Sequence, residues 1–114
     1  MAKTLDELLK IPGVAAAGEF APDGKLVNYL ASMDMSRDMA AMTAQFVATV
    51  TMLFDTLAGA FTQLSKMKWV PQQGWAYSGG DWTVAVMGNW GVFVDTSKAD
   101  FNLLFKVLSG KARV

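Results

Sequence analysis

The sequence contains no cysteine and no histidine. That absence removes thiolate nucleophiles, disulfides, Cys/His zinc sites and imidazole general bases. Net charge is missing too, since ten Lys and Arg balance ten Asp and Glu. Without a basic stripe to neutralise phosphates, nucleic acid is a poor ligand for this chain. A balanced charge also leaves self-association unopposed. Charged residues make up only 18% of the chain, against 53% apolar. Surplus apolar surface on a small domain is usually hidden in a subunit interface. The start, Met1 to Thr4, runs straight into an amphipathic segment with no apolar signal core, so a cytoplasmic protein is expected.

What is present reads as one domain over residues 1–114, a length that supports a core without staples. Thr4 and Glu7 have the spacing of a capping box, and Leu5, Leu8 and Leu9 make one apolar face. Pro12-Gly13 ends this short helix. Residues 14–21 and 25–30 read as strands joined through Pro22-Asp23-Gly24. Ala15, Ala16, Ala17 and Gly18 are weak strand formers, and their small size implies that a helix packs closely over them. Residues 69–78, 82–87 and 92–95 then alternate as three strands with Gly-rich turns between them. A final helix is expected after a Ser97 cap, with Phe101, Leu104, Phe105 and Leu108 as its buried stripe and Gly110 as its stop. Residues 111–114 are expected to fray.

Between the two strand groups lies a long helical segment, residues 36–66, with no proline. Met39, Met42, Phe46, Val50, Leu53, Leu57, Phe61 and Leu64 follow 3–4 spacing as a stripe of large side chains. Ala40, Ala44, Val47, Thr51, Phe54 and Ala58 form a second stripe about 110° round the helix. The third face, Gln45, Thr49, Met52, Thr56, Gly59 and Gln63, is weakly polar. Asp55 is the one charge between Asp38 and Lys66. A helix with one side in water carries many charges there, so two faces of this helix are expected to be buried. The segment is long enough to cross a bilayer, but Asp55 and its many Thr and Gln residues argue against insertion.

The order helix, two strands, long helix, three strands, helix resembles the roadblock/LC7 superfamily. Leu8-Leu9-Lys10-Ile11-Pro12-Gly13-Val14 and Asp23-Gly24-Lys25-Leu26 resemble the start of such domains. Residues 11–20, 74–81, 88–94 and 98–102 are similar to short stand-alone prokaryotic members of unknown function. The resemblance implies an α/β (α+β) fold, a profilin-like α/β/α sandwich on a five-stranded antiparallel sheet. It also implies homo- or heterodimers that pair through the long helix and the middle strand, and roles as scaffolds or regulators of small Ras-like GTPases. The implied dimer seam falls on Ala40, Ala44, Val47, Thr51, Phe54 and Ala58, with Trp75 and Tyr77 of the middle strand.

Other chemistry finds little footing. Asp34, Asp38 and Asp55 lack the further oxygen ligands a hard cation needs, so no metal and no cofactor is expected. The glycine turns lack the Gly-Lys-Ser/Thr of a phosphate loop. Glu19 is the one carboxylate inside a strand, with no acid–base mate at useful spacing, so no enzyme is expected. Four Trp residues crowd the second half, where core packing is the ordinary role. Trp90 beside Asn89 in a turn, and Trp69, are the candidates for exposed partner-binding anchors. The alternative to an interaction module is a sensor that binds a small molecule between helix and sheet.

Overall fold

The computed structural model describes residues 5–70 and 73–109. The capping box at Thr4, the stop at Gly110 and the end 111–114 lie outside the described residues. Elements follow in the order α1 (Leu5–Leu9), β1 (Val14–Phe20), β2 (Leu26–Ala31), α2 (Arg37–Ser65), β3 (Trp75–Gly79), β4 (Trp82–Met87), β5 (Trp90–Asp95) and α3 (Phe101–Ser109), with a 3-10 turn at Thr96–Lys98. The five strands form one antiparallel sheet in the order β2-β1-β5-β4-β3.

Local chemistry sets the element ends. Gly24 takes φ +91° at the first hairpin, and the Asp23 carboxylate accepts from the Lys25 N–H at 3.0 Å. Ser36 caps α2 by accepting from the Met39 N–H at 3.1 Å. Lys66 closes it in the left-handed region, φ +65°, donating its N–H to the Thr62 carbonyl. The final helix departs from its expected start. Asp95, not Ser97, caps the short 3-10 turn, and Asp100 caps α3 through the Leu103 N–H at 3.1 Å. A carboxylate in each place satisfies free N–H groups at a positive helix end. β3 is also shorter than the expected 69–78. The Trp69 N–H donates to Thr62 Oγ1 at 2.9 Å, which ties this stretch back onto α2 instead of into the ladder.

Strand alternation separates two apolar layers. Leu8 of α1 and Leu104 and Leu108 of α3 pack with Ala17, Ala85, Val92 and Val94 on one face. On the other, Ala44 and Val47 of α2 meet Phe20 and Val86. Thr83 is the buried polar residue of this framework, and its hydroxyl bonds both Ser78 (2.8 Å) and Thr96 (2.9 Å). α1 and α3 thus cover one side of the sheet. α2, about 43 Å long at 1.5 Å per residue, matches the molecule's longest extent of 43 Å and crosses the other side.

Candidate interaction face

The sheet-facing side of α2 is the small-residue stripe. Ala40, Ala44, Val47 and Ala58 are buried within the chain, Ala44 to 3% exposure. The reason lies in the strand below. Ala16 and Gly18 of β1 and Gly91 of β5 lie beneath α2 and line a small apolar gap with Ala40, Ala44 and Val47. These four residues therefore do not form an outer seam, and the sequence-based assignment of the two stripes is reversed here. Thr51 is half-buried and accepts from the Trp75 indole N–H at 2.9 Å. The Phe54 ring lies 5.7 Å from that of Trp75. Of the expected seam, Tyr77 is exposed, Phe54 is open to 36%, and Thr51 and Trp75 are half-buried.

The large-residue stripe is what α2 presents outward. Phe46 is 63% exposed, Leu53 65% and Leu64 82%, and Met39, Met42, Leu57 and Phe61 are also open. Its direction matters more than its extent. Met42, Phe46, Val50 and Phe54 border an apolar groove of about 410 Å³ with Trp75, Tyr77, Val84 and Phe93. The stripe therefore points toward β3, which is an edge strand with residues 76–79 all exposed. An open edge offers unpaired backbone groups to another strand.

The hydroxyls of α2 make it more apolar than its composition. Thr43, Thr49, Thr56, Thr62 and Ser65 each donate to the carbonyl four residues earlier, at 2.6 to 3.2 Å. Their donors are used inside the helix. Sequence reading missed this, although a helix this rich in Thr and this poor in charge carries the signal. By length and composition α2 is apolar enough to cross a membrane.

The anchor candidates separate. Trp69 is exposed, its ring 4.9 Å from that of Phe61 in a second groove beside the C-terminal half of α2. Asn89 is exposed in the β4–β5 turn, and its carbonyl accepts from the Phe20 N–H at 2.9 Å. Trp90 is not the free turn residue expected. It opens β5 and packs, half-buried, against the α1–α3 layer. Between α2 and the sheet remains an apolar cavity of about 50 Å³. Small-molecule pockets run to roughly 300–1,000 Å³, so a ligand between helix and sheet would have to use the open groove beside Phe46 and Trp75 and not this gap.

A structure of a roadblock/LC7 domain from Streptomyces avermitilis superposes with a TM-score of 0.78 at 12% identity, covering 93% of this chain and 86% of that one. The gliding protein MglB from Thermus thermophilus gives 0.70 at 15%, covering 93% and 83%. A structure of MglB with tetrameric arrangement gives 0.67 at 17%, covering 95% and 77%. No curated protein sequence matches the chain. The fold is that of the roadblock/LC7 superfamily. Residues 4–110 match the model of the family described as uncharacterized conserved protein (DUF2173), and the chain belongs to that family.

Proposed function

We propose that this chain is a non-catalytic, cytoplasmic interaction module that pairs with a second copy of itself. The pair then serves as a scaffold or as a regulator of a small Ras-like GTPase or larger complex. The observation that carries the reading is that the open large-residue stripe of α2 and the free edge of β3 point the same way. One partner copy related by a twofold axis closes both, aligning β3 with its counterpart and joining two five-stranded sheets. The reading keeps the expected helix-and-middle-strand seam but moves its helical part to Phe46, Leu53 and Leu57. The tetrameric arrangement of MglB supports self-association in a protein of this fold. The GTPase connection rests on the roadblock resemblance. Trp69 and Asn89 are the residues proposed for a further protein partner.

The absence of native cysteine makes the seam directly testable. Single-cysteine variants Ala76→Cys, Tyr77→Cys and Ser78→Cys are oxidised and run on a non-reducing gel. Strands pair about 4.8 Å apart, and disulfides form at Cα separations of about 4.4–6.8 Å. At least one variant is expected to give a two-chain band. No band at any of the three positions would refute a β3 seam.

A further inference from the structure

The groove beside Trp69 measures about 580 Å³ and lies at the start of β3, between the C-terminal half of α2 and the connection that follows it. Phe54, Leu57, Phe61, Trp69 and Trp75 give it an apolar wall. Lys68 is the charge on it, and among the described residues no carboxylate lines it. The connection is tied down, since the Trp69 N–H bonds Thr62 Oγ1 and the Trp69 ring packs 4.9 Å from that of Phe61. At the opposite end of β3 the Gly80-Asp81 turn leads into β4. Asp81 and Trp82 are exposed there, Trp82 to 38%. By strand alternation Trp82 shares a face with Val84 and Val86, the α2 side of the sheet. Turn and groove therefore open on the same side, at the two ends of one edge strand.

We infer that this groove receives the β3–β4 turn of a second copy, with the Asp81 carboxylate set against Lys68 and the Trp82 ring among the aromatic side chains. The inference rests on the dimer reading, and it gives Trp69 that second copy as its partner in place of a further protein. Direction is the first support. A twofold axis that closes both α2 stripes stands perpendicular to the sheet, and β3 then runs antiparallel to its counterpart. β3 is only five residues long, Trp75–Gly79. Whether the pairing centres on Ala76, Tyr77 or Ser78, the partner's Asp81 falls opposite a position from 71 to 75, the side on which Gln73, Gly74 and Trp75 line the groove. Strands lie about 4.8 Å apart, so the turn arrives one or two strand spacings away, a gap that long side chains such as Lys68 and Trp82 span. Charge is the second support. An acidic turn meets a groove whose charge is basic, and the twofold repeats the pair at the other end of the seam. Exposed aromatics are the third. Trp69 is 47% exposed in the single chain, and Trp is enriched among the residues that anchor interfaces. A turn without the carboxylate would leave Lys68 unmatched, so the contact also selects which chain pairs with which.

The test is a charge exchange, read as molar mass by light scattering over a dilution series. Lys68→Asp and Asp81→Lys each set like charges together at both ends of the seam, and each alone is expected to raise the dimer Kd by about tenfold. Mixed in equal amounts, the two variants complement each other at both ends. The mixture is expected to regain the two-chain mass at a concentration where each variant alone is a single chain. Both positions are exposed, so native circular dichroism is expected of each variant. The neutral variant Lys68→Gln gives a second reading. Raising sodium chloride is expected to weaken the native dimer severalfold and the Lys68→Gln dimer less, because salt screens the pair. Variants that both dimerise as the native chain does overturn the inference and leave the dimer standing. Variants weakened alone but not restored by mixing also overturn it, since the two charges then act apart. A native mass of one chain at every concentration overturns the dimer reading and the inference with it.

Discussion

Replacing Phe46 by glutamate separates the chain's own stability from its association. An aromatic ring of roughly 200 Å² that is 63% exposed leaves about 125 Å² open in the single chain. If a dimer covers half of that, burial at about 25 cal/mol per Å² contributes about 1.5 kcal/mol per copy. A twofold seam counts it twice, about 3 kcal/mol, or roughly two decades in Kd. A carboxylate placed in the seam adds a desolvation cost. The single-chain fold should change by no more than about 0.5 kcal/mol, as for other surface positions. Ala44→Glu is the control. At 3% exposure its carboxylate would sit between α2 and the sheet, and the chain should unfold. Far-ultraviolet circular dichroism and light scattering read the two effects apart. Phe46→Glu is expected to keep native helix content while dissociating, and Ala44→Glu to lose its structure. The reverse pattern, a folded monomer from Ala44→Glu and an unaltered assembly from Phe46→Glu, would refute the stripe assignment.

Other substitutions probe single contacts. Thr51→Val strips the half-buried Trp75 indole of its acceptor, which should cost about 1–3 kcal/mol and shift tryptophan fluorescence during a denaturant melt. Lys66→Gly relieves a non-glycine residue at φ +65° and should raise stability by up to about 1 kcal/mol, measured the same way. Gly13→Ala should destabilise, because φ is +87° and the new Cβ would meet Lys98 Cβ at 2.8 Å; Gly18→Ala, with 3.7 Å to its nearest neighbour, should be tolerated. Hydrogen bonds from the Ser97 hydroxyl and N–H lower the Asp95 pKa below the usual carboxylate value. A depressed folded-state pKa stabilises above the unfolded value and is lost as pH falls through the folded one. Asp95→Asn should therefore flatten a small part of the acid-melting profile.

Much of the fold was readable because hydrophobic period and turn chemistry agree along the chain. The capped long helix, the Asp23-Gly24 hairpin and the closing meander are examples. What was not readable depends on tertiary direction. Both stripes of α2 are apolar, so periodicity gives their separation but not which one meets the sheet. The deciding clue was the run Ala15 to Gly18. Ala16 and Gly18 of that run lie beneath Ala40, Ala44 and Val47 of the helix, and the large residues of α2 lie outside. Trp90 misled because it borders a glycine turn, yet it starts a strand whose alternation turns it toward the α1–α3 layer. Ser97 and Asp100 are both capping residues near the start of a helical stripe, and only the intervening 3-10 turn separates their roles.

The central claim is that the apolar face of α2 exists to be covered by a second copy. Its most direct test is the molar mass of the native chain in solution, by size exclusion with light scattering at micromolar concentration and high salt. Salt screens charge pairs but not apolar burial. A mass of at least twice 12.3 kDa that survives salt is the expected result. A mass of 12.3 kDa at all concentrations contradicts the account.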